Sequence, residues 1–301
     1  MTRTIYFAGG CFWGVEHFFK GVDGVLATEP GYANGSFENP TYEQVYTDTT
    51  GFAETVRVDY DPDRVSLQKL VRLFFTIIDP LSLNRQGHDE GTRYRTGVYY
   101  VSPEDVPVIE AEFSALRSRI GEGCVVEFEP LKCFYGAEER HRDYLDKNAG
   151  GYCHLPLRTF RYLRLYQDIA LMIEGEPDPV ARQAETAALI FERMRFFWVG
   201  FYRVLGDELV LGPFQGPAAC LRIARGRGVC GAAWGSGKTV VVPDVEQFPG
   251  HIACSSLSRS EIVVPLVRDG AVTAVLDIDS TEPSTFDSVD AAWLELIAEL
   301  I

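Results

Sequence analysis

Between Asn148 and Pro156 the chain interrupts itself. Gly150-Gly151 and Pro156 stop the periodic patterns that run up to them, and new patterns start on the far side. In a chain of 301 residues such a break divides the whole into two pieces of ordinary domain size, since one domain takes roughly 150 residues. The expected domains are residues 1–156 and 157–301. No internal repeat relates them, so they are expected to be unrelated folds.

The first piece mixes short strands with helices. Thr4–Ala8 reads as a buried strand ending at Gly9-Gly10, and Phe12–Lys20 as a helix. Leu67, Leu70, Val71, Phe74, Phe75 and Ile78 keep helical spacing, with Ser66 placed to cap the start and Pro80 to stop the run. Strands are expected at Thr96–Val101 and Cys124–Phe128, a helix between them over about Glu104–Arg119, and a polar helix at about Glu138–Lys147. The second piece opens with helices over Thr159–Ile173 and Pro179–Met194. Strands follow at Phe197–Val204, Glu208–Leu211, Thr239–Val242, Ile262–Val267 and Val272–Ile278, and Asp287–Ile301 closes as a helix. Both pieces are thus α+β, the second an antiparallel meander flanked by helices.

Charge and hydropathy exclude several classes of protein. The net charge is −15, and no stretch concentrates Lys and Arg, so neither nucleic acid nor an anionic membrane surface is an expected partner. The longest apolar runs are strand-sized, against the ~20 residues a membrane helix needs. The first residues, Met1–Phe7, carry no signal-peptide apolar core. A soluble, cytoplasmic protein is expected.

Seven cysteines, Cys11, Cys124, Cys133, Cys153, Cys220, Cys230 and Cys254, are too sparse for a disulfide scaffold, and an odd count leaves one unpaired. A reducing compartment disfavours structural bridges. No Cys-x-x-Cys or His-x₃₋₅-His pair gives zinc spacing, so no metal is expected. The cysteines divide instead into buried and reactive thiols, with Cys124 and Cys133 expected to be inert.

Two glycine-rich stretches imitate nucleotide loops. Gly226-Arg227-Gly228-Val229-Cys230-Gly231 spells G-x-G-x-x-G, but Gly235-Ser236-Gly237 interrupts any long helix after it. Gly237-Lys238-Thr239 resembles the tail of a phosphate loop, yet position 232 is Ala232 where the first glycine is required. Neither is a nucleotide site.

Cys11 stands where a helix begins, and the unpaired N–H groups and positive dipole end there favour a thiolate. Gly9 and Gly10 allow close approach of a substrate, and Phe12 and Trp13 offer an apolar wall for a small group beside the sulfur. A buried structural cysteine among core aromatics explains the same residues equally well on local grounds.

The segment Gly9–Glu16 resembles the signature of the A-type peptide methionine-S-sulfoxide reductases (MsrA). The likeness runs over about the first 155 residues, through Gly31–Gly35, Pro40–Val45, Gly51–Glu54, Gln86–Arg95 and His141–Leu145. It implies a mixed-sheet α/β sandwich with Cys11 as nucleophile and Phe12 and Trp13 around the sulfoxide methyl. Glu54, Tyr42 and Tyr94 would surround the sulfoxide oxygen, with Asp89 helping to bind the substrate. A carboxylic acid kept partly dehydrated holds its proton near neutral pH, as protonation of a sulfoxide oxygen requires. Attack by Cys11 leaves a sulfenic acid that a second thiol resolves; Cys153, in Gly150-Gly151-Tyr152-Cys153-His154, matches the family's recycling position.

In the second piece Val275, Asp277 and Asp279 share one face of a strand, and so do Trp198 and Tyr202. Carboxylates on an apolar strand need a partner, which a cationic ligand would supply. These features resemble the GAF-domain free methionine-R-sulfoxide reductases, in Leu211–Gly216, Gly226–Gly231, Gly250–Cys254, Ser260–Leu266 and Val275–Ser280. The resemblance implies Cys254 as nucleophile, Cys220 as its resolving partner, Cys230 as an accessory thiol, and Glu261, Asp277 and Asp279 as the substrate's acidic pocket. The chain as a whole would then be a bifunctional reductase with no bound metal or organic cofactor. Thioredoxin, or dithiothreitol in vitro, would supply the reducing equivalents, and oxidised proteins and free methionine sulfoxide would be the substrates. The alternative is a non-catalytic GAF ligand sensor that regulates the first domain.

Overall fold

The computed structural model describes residues 1–252 and 255–301. Its contacts divide the chain into Met1–Phe160 and Arg161–Ile301. The division falls a few residues past the expected 156/157, inside a helix. The reason is local: Phe160 packs edge-on against His17, with ring centroids 5.1 Å apart, so the start of that helix stays with the first unit.

In the first unit the elements run β1 Arg3–Gly9, α1 Phe12–Lys20, β2 Val25–Ala33, α2 Tyr42–Val45, β3 Ala53–Tyr60, α3 Leu67–Phe75, β4 Arg85–Gln86, β5 Asp89–Glu90, β6 Thr96–Tyr100, α4 Val106–Ile120, β7 Glu127–Pro130, β8 Phe134–Gly136 and α5 Tyr144–Lys147. One sheet has the order β7-β6-β1-β3-β2-β8. All its pairings are antiparallel except β6 with β7, which α4 joins by the crossover that parallel neighbours require. The sheet is mixed, as expected.

Its two faces are built differently. On one, Phe7 of β1 stacks on Phe19 of α1 at 4.6 Å and on Phe74 of α3 at 4.9 Å. On the other, Ala8, Ala33 and Ala53 meet Tyr6 and Tyr99. The Ser66 side chain accepts the Lys69 N–H and starts α3 as anticipated.

Several local expectations are corrected. The spacing missed β2 and β3. The strand β2 carries Pro30 and Gly31, residues that weaken a strand signal, and is half-exposed or exposed over Val25–Glu29. The strand β3 opens with Ala53-Glu54-Thr55, all buried, and alternates only from Val56 to Tyr60. The strand expected at Cys124–Phe128 is Glu127–Pro130. The polar helix over Glu138–Lys147 is a short 3₁₀ turn followed by α5, broken where Asp143 takes φ +54°.

In the second unit come α6 Leu157–Met172 (whose first turn lies in the first unit), α7 Pro179–Met194, β9 Trp198–Leu205, β10 Glu208–Gln215, β11 Arg222–Ala224, α8 Gly228–Ser236, β12 Val240–Val242, β13 Ser260–Arg268, β14 Ala271–Ser280 and α9 Ser288–Leu300. The sheet is antiparallel throughout, in the order β11-β10-β9-β14-β13-β12. The helix α7 packs on β9 and β10, α9 on β13, and α8 on β13 and β14. The G-x-G-x-x-G stretch does open a helix, α8, but it ends at left-handed Gly237, and β12 then runs antiparallel to β13. Among the described residues of this unit there is no parallel strand pair for a dinucleotide to bind.

Candidate active sites

The first site grows from the turn between β1 and α1. Gly10 has φ +83°, and a Cβ there would lie 2.6 Å from the Gln86 Cβ, so glycine alone fits. The turn leaves Cys11 as the N-cap of α1, as its sequence position suggested. The expected thiolate does not follow. Cys11 is 5% exposed, and burial pushes its thiol pKa well up, with the Glu54 charge adding to it and the Trp13 N–H opposing. Dehydration outweighs the helix terminus, and the resting group is a thiol.

Glu54 comes from β3, where Tyr32 is its neighbour across the β2 pairing. It is 1% exposed and accepts the Phe12 N–H at 3.0 Å, which fixes it at the start of α1. Burial lifts its carboxyl to about 8, while the Phe12 N–H and the Arg93 guanidinium pull the other way. The carboxyl is therefore neutral at pH 7. Tyr42 is pushed up to about 12 and Tyr94 is also raised, in both cases by burial first and the Glu54 charge next. Both remain hydroxyl donors.

Asp89 is brought to the same place: its charge raises both Glu54 and Cys11. Its Oδ1 accepts the Tyr152 hydroxyl at 2.8 Å, and its Oδ2 is buried without a hydrogen-bond partner among the described residues. Trp13 is held by Tyr144, stacked at 3.8 Å, and donates its indole N–H to His141 Nδ1 at 3.3 Å. Burial lowers the His141 pKa and keeps that nitrogen an acceptor.

Cys153 lies over the first turn of α1, where a Cβ on Gly14 would sit 3.1 Å from its Sγ. Cys11, Cys124, Cys133, Cys153 and Cys230 are free thiols. Neighbouring His154 meets the Gly9 carbonyl through Nε2 at 3.0 Å and pins the segment there.

Some supporting residues were given no role by the sequence, although Arg93 falls within the family-like block Gln86–Arg95. Glu138, the first acid of the charged run Glu138-Glu139-Arg140, accepts the Tyr32 hydroxyl and the Tyr42 N–H, each at 2.8 Å. Arg93, ion-paired with Asp48, lies over the Tyr46 and Tyr94 rings at 4.2 and 4.3 Å.

The second site is a cavity on the sheet face under α8. Strand register assembles it. Asp279 lies opposite Trp198 on one side and Glu261 on the other, and Asp277 opposite Gly200 and Val263. Trp198 and Tyr202 stack at 6.0 Å as one wall, as their spacing suggested. The Trp198 indole donates to the Pro217 carbonyl at 3.1 Å and the Tyr202 hydroxyl to the Cys220 carbonyl at 3.0 Å.

Cys220 is disulfide-bonded. Cys230, expected as an accessory thiol, is buried in the cavity wall. Burial and the mutual repulsion of these acids raise Asp277 strongly, Glu261 to about 8 and, mainly by burial, Asp279 to about 6. His251 and Arg227 also line the cavity, and the periodicity of the sequence gave no reason to choose them. Cys254, the expected nucleophile, lies outside the described residues.

A buried carboxylic acid and a thiol at one helix start, with a second thiol over the same turn, are the equipment of an enzyme that reduces an oxygenated or disulfide substrate at sulfur. The comparisons narrow that class. Residues 3–169 match the family model of peptide methionine sulfoxide reductase, and residues 180–301 that of the GAF domain. The peptide methionine sulfoxide reductase MsrA of Clostridium acetobutylicum is 53% identical over 154 residues, 51% of this chain and 95% of the relative. Among solved structures, Mxr1 of Saccharomyces cerevisiae in reduced form is 36% identical, with TM-score 0.50, covering 52% of this chain and 92% of that one. The free methionine-R-sulfoxide reductase of Neisseria meningitidis, in complex with its substrate, is 55% identical, with TM-score 0.46, covering 46% of this chain and 84% of that one. The chain belongs to the peptide methionine sulfoxide reductase family, an oxidoreductase acting on sulfur groups, with a GAF domain in its C-terminal half. Among the described residues no helix is long and apolar enough to cross a membrane.

Proposed function

We propose that the chain carries two thiol-dependent methionine sulfoxide reductases, one for each sulfur epimer. The first unit reduces S-sulfoxide in proteins and in the free amino acid. The observation that carries this reading is Glu54: a carboxyl held neutral up to about pH 8 and fixed one residue from Cys11 by the Phe12 N–H.

The protons balance without further groups. Glu54 gives its proton to the sulfoxide oxygen while the Cys11 sulfur attacks the sulfoxide sulfur, and the thiol proton of Cys11 replaces the one Glu54 has lost. The protonated oxygen passes from the substrate sulfur to the Cys11 sulfur as the substrate S–O bond and the newly formed S–S bond break, so that methionine leaves and Cys11 is left as a sulfenic acid. Tyr42 and Tyr94 hydrogen-bond the oxygen as its charge changes, and Phe12 and Trp13 take up the methyl group. The Cys153 sulfur then attacks Cys11, and water departs as the disulfide forms.

The second unit reduces free methionine-R-sulfoxide, with Cys254 as nucleophile and Cys220 as resolving thiol. Glu261, Asp277 and Asp279 receive the ammonium group, which a peptide-bound methionine lacks, and so select the free amino acid. The convergence of these acids with Trp198 and Tyr202 on one cavity supports this. Thioredoxin in a reducing cytoplasm returns both disulfides to thiols, and the chemistry uses no bound cofactor.

The test is reduction of a mixture of both epimers of free methionine sulfoxide with excess dithiothreitol, each followed by chiral chromatography. Both should disappear, C11S should spare the S epimer and C254S the R epimer. Persistence of the R epimer in the wild type would make the second unit a ligand sensor.

A further inference from the structure

We propose that the cavity of the second unit is also a binding site for a thiophilic divalent cation of the zinc class, held by Cys230, Glu261 and Asp277. The sulfur of Cys230 and one carboxylate oxygen from each acid lie within 4.8 Å of one another, and all three residues are buried. They stand on α8, β13 and β14, so packing and strand register hold the donors in place before any ion arrives. Asp277 is 7% exposed, lines the cavity, and its Oδ1 has no hydrogen-bond partner among the described residues. A buried carboxylate oxygen left unpaired is costly and is relieved by a cation in that position.

The donor set selects the metal. One thiolate with two carboxylate oxygens suits zinc, which binds sulfur, nitrogen and oxygen at low coordination number. Calcium and magnesium require six or more oxygens. His251 borders the cluster, its Nε2 3.6 Å from Glu261 Oε2, which places a nitrogen donor nearer than any sequence spacing indicated. Binding forms one metal–sulfur and two metal–oxygen bonds and releases to solvent the protons that Cys230, Glu261 and Asp277 carry beforehand, with no change of oxidation state.

The cation uses the acids that receive the substrate's ammonium group, so the two exclude one another; this consequence rests on the reductase reading above. Zinc therefore raises the KM for free R-sulfoxide and leaves its kcat unchanged.

Binding is tested separately from catalysis by titrating the full chain, reduced with a phosphine, with cobalt(II) as the probe. A C11A/C153A background removes the thiols of the first site. A cobalt–thiolate charge-transfer band should saturate at one equivalent, vanish in C230A and weaken at least tenfold in affinity in D277N. Free methionine sulfoxide added to the unsubstituted cavity should bleach it, a readout that needs no variant of the cavity to fold. Absence of the band, or a band of equal strength in C230A, overturns the proposal even if R-sulfoxide is reduced. A Cys230-dependent band in a chain that leaves R-sulfoxide untouched upholds the cation site and removes the reductase reading.

Discussion

At Cys11 and Glu54 two opposing effects can be weighed one group at a time. The helix start favours a thiolate, but dehydration and the neighbouring acid favour the thiol, and they win. In the proposed mechanism Glu54 is the group that delivers one proton and collects another. Because burial raises its pKa, the donor is present below about pH 8 and lost above it. The pH profile of kcat/KM for S-sulfoxide should fall through that region. In E54Q, kcat/KM should drop by roughly 10²–10³-fold, and the alkaline limb should disappear. C153S should release one equivalent of methionine with thioredoxin as reductant and then stop, Cys11 remaining as a sulfenic acid; continued turnover in a rapid-quench time course would remove Cys153 from the recycling step.

Elements decide which of these side chains meet. In the strand β9, Gly200 sits between Trp198 and Tyr202, and a Cβ there would lie 2.4 Å from the Trp198 ring and 2.5 Å from the Phe214 Cβ. G200A should cost about 1–3 kcal/mol by overpacking and depress R-sulfoxide reduction by displacing the indole wall, checked by urea unfolding and by the epimer assay. A helix end offers a milder contrast. Asp178 accepts the Val180 and Ala181 N–H groups at the start of α7, and D178A should cost about 1 kcal/mol with activity retained. The helices whose starts and stops are marked by local chemistry, α1, α3 and α7, were legible in the sequence. The strands β2 and β3 were not: β2 is interrupted by Pro30 and Gly31 and exposed over part of its length, and the alternation in β3 is confined to Val56–Tyr60 after a buried Ala53-Glu54-Thr55.

For the molecule as a whole, buried acids make stability depend on pH in an unusual direction. Glu54 is raised to about 8 and Glu16, buried behind Asp143 and accepting its N–H at 3.0 Å, to about 7. Both are raised in the folded state, so the unfolded chain gives up these protons first, near pH 4.5. The stability they contribute is complete below that value and is lost as pH climbs toward 7 and 8. Acids with lowered pKa, such as Asp146 beside Lys20, act oppositely but only at lower pH. Melting temperature should therefore decline from pH 5 to 8, and E54Q and E16Q should each flatten that decline; an unchanged slope in both would exclude these groups as its source.

The sequence by itself determined the two-part organisation, the helix start under Cys11, the shared face of Trp198 and Tyr202, and the family likeness of the first half. Those depend on neighbours a few residues apart, where capping, periodicity and motif spacing operate. Only the tertiary structure decided that Cys11 rests as a thiol, that Glu138 braces Tyr32 and Tyr42, and that Cys230 meets Glu261 and Asp277. Each of those depends on dehydration and on partners distant in the chain, and no local pattern encodes either.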